Sequence, residues 1–328
     1  MSLKRLVTFH GQGSIIEFSK VAFHNISINH LYETQYKSYC EQHPNLPQSL
    51  VILSHLLYKD LASNGKLKTQ HKETETFFLG HSLGELQSFL NGNDLVSLKD
   101  AIDIANYRHL LMKQQVAEYQ TFLTSVNNSP GPSTTSNEMQ MVALLLTKKF
   151  NLTNPDYISS LQKHLAQEYK TLAVSNINTE SSVVISGTKH ELDKLLSSPS
   201  GDLNFSVPKK YKILENPDKI AFHNNKILRD LQEPLYDYIW NKLKDNKTHT
   251  VALLNNQVIT NYQGKLVSQK DDLLENFVKQ SCNTVQFIEC CKTARDLQID
   301  EFTHVGPVPS VLQKMVERNL SELQTASV

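Results

Sequence analysis

"TETFFLGHSLGEL", residues 74–86, decides how the rest of the chain is read. "ETFFL" is a short apolar run of the kind that forms a buried strand. "LGELQSFLNG" reads as a helix ending at Gly92. Between the two stands Ser82, flanked by Gly80 and Gly84 in a G-x-S-x-G turn. A serine on such a strand-to-helix turn is displayed above the sheet as a nucleophile. The flanking glycines are needed because a Cβ at either position would meet the neighbouring strand or helix. The N–H of Leu83, at the start of the helix, is a candidate donor to an oxyanion, with the positive end of the helix dipole behind it.

Upstream, "RLVTF" (5–9) reads as another buried strand and "GQGS" (11–14) as the turn that ends it. The N–H of Gln12, between two glycines, is a candidate second oxyanion donor. Gln12 and Ser82 both follow a strand, and ligands of parallel sheets bind at the carboxyl ends of the strands. The expected fold class is therefore α/β, with a parallel sheet covered by helices on both faces. Residues 47–63 have helical apolar spacing, and 97–115 form a second helix opened by a Ser97–Asp100 capping signal.

"SVNNSPGPSTTSNE", residues 125–138, is the clearest break in the chain. A strand, helix, strand, strand, helix run follows it, compact enough to be a small α+β subdomain. The expected organisation is a catalytic domain from 1–125 and 209–328, a small subdomain over 138–208, and a flexible linker at 126–137.

Arg108 is the informative residue of the second helix. Ala101, Ile104, Ala105, Leu111 and Met112 share one apolar face, and Arg108 lies in the middle of it with no acid three or four places away. A guanidinium facing inward needs a carboxylate. A distant Asp or Glu, a ligand carboxylate in a bidentate grip, or escape of the side chain to the surface would each meet that need. Ser82 also needs a base. Among 13 histidines two stand out: His223 in "KIAFHNN" and His304 in "DEFTHVGP", and the residues alone leave both open. His81 flanks the serine, points away from it and is read as structural.

Lys plus Arg equals Asp plus Glu at 33 each, so no bulk attraction to nucleic acid or membrane is expected. No apolar run approaches ~20 residues, and no signal or transit peptide is visible. The four cysteines have no zinc spacing and fit a reducing compartment.

Several motifs together resemble the malonyl-CoA:acyl carrier protein transacylases. They are Gly11-Gln12-Gly13-Ser14, the G-H-S-x-G-E from Gly80 to Glu85, Arg108 with Met112, and Asn176 with Val184-Ile185-Ser186-Gly187. Phe222-His223, "QSCNTVQF" from Gln280, and Gly306-Pro307 complete the set. They span nearly the whole chain in the family's order, and "ENPDKIAFHN" and "EPLYDYIW" look most like the fungal mitochondrial branch. His10 stands in place of a usual proline, His109 of a glycine and Thr284 of a proline.

The resemblance implies an α/β-hydrolase-like core with an inserted ferredoxin-like subdomain. It selects His223 over His304 as base, with the chain at Gln280 orienting it. It also implies that Gln12 and Leu83 hold the oxyanion and Arg108 the malonyl carboxylate. The substrate is then malonyl-CoA and the acceptor the phosphopantetheine thiol of acyl carrier protein, with no cofactor and no metal. The implied setting is type II fatty acid synthesis in the mitochondrial matrix or a bacterial cytoplasm, and a monomer is expected. Two other readings are a serine hydrolase with His304 as base, and a non-catalytic carrier-binding scaffold.

Overall fold

The computed structural model describes residues 2–13, 16–67, 74–126, 137–147, 156–197, 208 and 210–325. Its strands are β1 (Leu3–Phe9), β2 (Thr74–Gly80), β3 (Met139–Leu145), β4 (Ala173–Thr179), β5 (Ser182–Thr188), β6 (Tyr211–Ile213), β7 (Leu253–Ile259), β8 (Leu266–Gln269) and β9 (Glu301–Val305). Its helices are α1 (Ile26–Leu31), α2 (Lys37–Gln42), α3 (Pro47–Ser63), α4 (Leu98–Val126), α5 (Tyr157–Glu168), α6 (Lys189–Ser197), α7 (Gln232–Asp245), α8 (Lys270–Cys282), α9 (Phe287–Asp296) and α10 (Pro309–Thr325).

The chain divides into two units, Met1–His109 with Tyr236–Phe277 and Glu289–Val328, and Leu110–Leu235 with Val278–Ile288. The first is built on a five-stranded sheet of order β8-β7-β2-β1-β9. β1 runs parallel to β2 and β9, and β2 parallel to β7; only the edge strand β8 is antiparallel. Leu6, Val7, Phe9, Phe77, Phe78 and Leu79 are buried, as central parallel strands demand. The rings of Phe9 and Phe78 stack at 6.2 Å. Register then fixes where the chemistry falls: Phe9 is paired with Gly80 and with Val305, and Leu79 with Ile259. Four strands therefore end at one level, and Gln12, Ser82 and the turns after β7 and β9 all leave the sheet there.

The second unit carries a four-stranded antiparallel sheet of order β4-β5-β3-β6. The described residues of 138–208 lie within it, as do most of α4 and the loop bearing His223. The sequence read β-α-β-β-α here; the three-residue β6 adds a sixth element and gives the β-α-β-β-α-β order. Val142, Leu144, Leu161, Leu165, Ile185 and Leu192 form its core between sheet and helices. The expected linker at 126–137 falls almost wholly outside the described residues.

Two local expectations differ from the structure. The helix after Ser82 is not regular: it opens as a 3-10 turn, Ser82–Glu85, and closes as a π turn, Ser88–Gly92. The Gly84 N–H reaches back only to His81 O, 2.9 Å, which tightens the first turn. The helix containing Arg108 runs on to Val126, and Leu111, expected on its buried face, is half-buried. The cap is as read: Asp100 N donates to Ser97 Oγ at 3.1 Å. Among the described residues no helix is long and apolar enough to cross a membrane.

Candidate active site

Ser82 sits at φ +52°, in the left-handed region that non-glycine residues avoid. Such a conformation costs on the order of 1–3 kcal/mol and persists only where the surroundings over-determine it. Three features do so here. The His81 N–H donates to Phe9 O at 2.8 Å, fastening the turn to β1. A Cβ on Gly80 would strike the backbone of Gly84 and Glu85, and one on Gly84 would strike the carbonyls of Phe9 and His10, so both glycines are dictated by close approach. Finally, Asn261, at the end of β7, reaches the turn from the far side of β2. Its Oδ1 accepts the Ser82 N–H at 2.7 Å, and its Nδ2 donates to Gly80 O.

The loop after β1 packs against this elbow. A side chain built on Gly11 would come within 3.2 Å of the Ser82 Cβ. The backbone beside Gln12 is thereby brought next to the serine, and the N–H of Leu83 lies in the 3-10 turn that Ser82 opens. His10 ties this loop to the turn after β9, since the Val308 N–H donates to its Nε2 at 3.1 Å and its Nδ1 bonds Gly11 O at 2.9 Å. A carbonyl can only accept, so Nδ1 carries the hydrogen and the ring is neutral; burial holds its pKa below the ordinary value.

Arg108 belongs to the same unit and is 1% exposed, on the apolar stripe with Ala101, Ile104, Ala105 and Met112. Its guanidinium carbon lies 6.0 Å from the centroid of the Phe277 ring. The acid that feels its charge is Glu85, in the turn after the serine. Burial pushes the Glu85 carboxyl up to about 8; the Asn261 N–H, donating to Oε2 at 2.8 Å, and the charge of Arg108 pull it back only in part. Glu85 is therefore largely neutral at neutral pH.

His223 and Gln280 lie in the second unit. His223 donates Nδ1–H to the backbone carbonyl of Gln280 at 2.5 Å, which fixes the tautomer and leaves the lone pair on Nε2. His223 also has a positive φ, +56°, between well-held neighbours. The Phe222 carbonyl accepts from Ser186 Oγ, and Asn224 Nδ2 donates to Thr171 O and Ser186 O. The Gln280 end is anchored too. After α8 the chain pairs with the edge of β4 through Val285 N to Ser175 O, 2.8 Å, and Ile177 N to Val285 O, 2.9 Å. Thr284, where the sequence departs from its resemblance, donates Oγ1–H to Val174 O at 2.7 Å and strengthens that join.

His304, the other candidate base, lies on β9 opposite Thr8, with Nδ1 bonded to Thr8 Oγ1 at 2.6 Å and its ring stacked on Phe302. The second unit also holds a cleft of about 940 Å³ lined by Tyr119, Leu165, Val174, Lys226 and Arg229, among others, but by none of the predicted site residues. Asn261 and Glu85 were given no role by sequence reasoning. Glu85 stands in the quoted motif; Asn261, in "VITNY", carries no signal of its own.

No family model matches the chain. It is 33% identical to the mitochondrial malonyl CoA-acyl carrier protein transacylase of Saccharomyces cerevisiae, over 98% of this chain and 94% of that protein. The chain belongs to the malonyl CoA-acyl carrier protein transacylase family. It is 28% identical to the Staphylococcus aureus transacylase over 76% of this chain and 70% of the relative. The solved malonyl-CoA:acyl carrier protein transacylase of Helicobacter pylori has the same fold, with a TM-score of 0.69 at 20% identity, over 97% of this chain and 92% of that one. As a transacylase of this family the chain is an acyltransferase of fatty acid synthesis, with the α/β architecture that its sequence implied.

Proposed function

We propose that this enzyme moves a malonyl group from coenzyme A to the phosphopantetheine thiol of acyl carrier protein through an ester on Ser82. The carrying observation is the over-determined elbow that presents Ser82 at positive φ, in a chain of this family. In the first half-reaction His223 takes the Ser82 hydroxyl proton on Nε2, and Oγ attacks the malonyl thioester carbonyl. The Leu83 and Gln12 N–H groups receive the oxyanion. Collapse breaks the C–S bond, and the proton on His223 passes to the departing thiolate. The second half-reaction reverses these steps, with the carrier thiol as nucleophile. Thioester becomes ester and returns to thioester, so the atoms balance with no cofactor and no metal.

The Nδ1–H bond from His223 to Gln280 O supports the role of base, because it holds the lone pair on the other nitrogen. The site assignment for Arg108 rests on its burial in the α4 stripe and its place in the family motif: it grips the malonyl carboxylate and disfavours acetyl. His304 is engaged with Thr8, which weighs against it as the base of a hydrolase. The enzyme is proposed to act as a monomer, independent of nucleic acid and membrane. By the Saccharomyces relative, named mitochondrial, its place is the mitochondrial matrix, in type II fatty acid synthesis.

The test is incubation with malonyl-CoA, with and without phosphopantetheinylated carrier protein, followed by intact-protein mass spectrometry. A malonyl adduct mapped to Ser82 that moves to the carrier is the expected result. Free malonate, formed equally fast without carrier, would make water the acceptor and the chain a hydrolase.

A further inference from the structure

The geometry points to Asn261 as the residue that positions the nucleophile: its carboxamide locks the Ser82 turn in the attacking conformation. The inference rests on Ser82 being the acylated serine. Asn261 is fully buried, just beyond the end of β7 and 179 residues from the serine in sequence. A carboxamide sets an acceptor oxygen and a donor NH2 group in one fixed plane. Here Oδ1 takes the Ser82 N–H at 2.7 Å, and Nδ2 gives its hydrogen to Gly80 O. The two contacts grip the turn two residues apart, on either side of His81.

Asn261 is itself braced. Its N–H donates to Glu85 Oε2 at 2.8 Å, and Glu85 ends the 3-10 turn that Ser82 begins. Ser82, Asn261 and Glu85 thus form a closed loop of contacts. The Thr260 N–H bonds Lys265 O and the Gly264 N–H bonds Thr260 O, both at 2.9 Å, so the turn presenting Asn261 is held from behind. One corollary follows for the oxyanion. The Ser82 N–H is given to a side chain, so the donors to the tetrahedral intermediate come from other residues, as assigned to Leu83 and Gln12.

Aspartate at this place would keep an oxygen for the Ser82 N–H but set a second oxygen against Gly80 O. Alanine would lose both contacts. A displacement of the reacting atom by about 1 Å is enough to lower the rate roughly 10²-fold. The experiment compares the parent with Asn261→Ala and Asn261→Asp, measuring kcat and KM for malonyl transfer and the rate of Ser82 labelling by a small fluorophosphonate. Melting curves serve as the folding control. The expected result is kcat and labelling both down by about 10²-fold in Asn261→Ala, a smaller loss in Asn261→Asp, and KM for malonyl-CoA within about threefold of the parent. If Asn261→Ala does not fold, Asn261→Asp is read alone, with about a tenfold loss in kcat at constant KM expected.

Parental kcat and labelling in a folded variant would overturn the proposal, as would a loss carried wholly in KM. Failure of the underlying reading looks different: the parent itself would carry no malonyl adduct on Ser82.

Discussion

His223 Nδ1 lies 2.5 Å from the backbone carbonyl of Gln280, so the group that orients this imidazole is a peptide oxygen. Side-chain changes at Gln280 leave that oxygen in place. Gln280→Met is expected to retain most transfer activity, whereas His223→Ala should lose ~10²–10⁴-fold in kcat. Steady-state kinetics of the two purified variants checks this. A Gln280→Met enzyme as inactive as His223→Ala would show that the amide, not the peptide, does the orienting.

Arg108 governs selectivity if it holds the malonyl carboxylate. Arg108→Ala should lower the preference for malonyl over acetyl by ~10²–10³-fold, mostly through loss of malonyl transfer. The comparison is kcat/KM for malonyl-CoA and acetyl-CoA on the same variant. Unchanged preference would move the carboxylate contact elsewhere.

Gly84 faces the carbonyls of Phe9 and His10 with no room for a methyl group. Gly84→Ala should push the Ser82 turn away from β1. A drop in stability of about 1–3 kcal/mol is expected, together with slower Ser82 labelling. Denaturant melts and probe labelling read the two effects separately, and a variant with parental values in both would contradict the packing described.

Glu85 links stability to pH. Its carboxyl is raised from the ordinary 4.5 up to about 8 in the fold, chiefly by burial. Between those values the folded chain keeps a proton that the unfolded chain has lost, so stability falls as pH rises through the window. A tenfold change in proton affinity is worth about 1.4 kcal/mol, which makes the total on the order of a few kcal/mol. Glu85→Gln keeps an oxygen for the Asn261 N–H and cannot ionise. The Tm of the parent should decline more steeply from about pH 5 to about pH 8 than that of Glu85→Gln. Parallel curves would mean that Glu85 ionises as an ordinary surface acid does.

The elbow was legible because its constraints are local: apolar strand, two glycines, serine and helix lie within thirteen residues. Arg108 was legible for the same reason, since a charge in an apolar stripe contradicts its own helix. His223 was not, because what distinguishes it from His304 is a carbonyl 57 positions away. The family resemblance, not the residues, separated them. β7 escaped notice because "LLNNQVI" places two asparagines in mid-strand; Asn256 answers to Gly92 O and to Asn93, contacts that no window on the sequence contains. Asn261 was hidden most completely. One asparagine after an apolar run reads as a turn residue, and its partners are 176 to 181 residues upstream. The irregular helix after Ser82 has the same origin: its sequence is helical, and the close fit to β1 and β7 overrides it.

The distance between Ser82 and Asn261 along the chain also sets an order in time. A ribosome adds about 5–20 residues each second, so roughly 10 to 35 s separate the emergence of the serine from that of the asparagine that seats it. For that interval Ser82 is an ordinary turn residue on an unfinished sheet. The contacts that Asn261 makes to the Ser82 turn form only when β7 joins β2. A chain that stops short of Asn261 therefore lacks both carboxamide contacts, and its Ser82 turn is fastened by Phe9 O and by the close fit of Gly80 and Gly84.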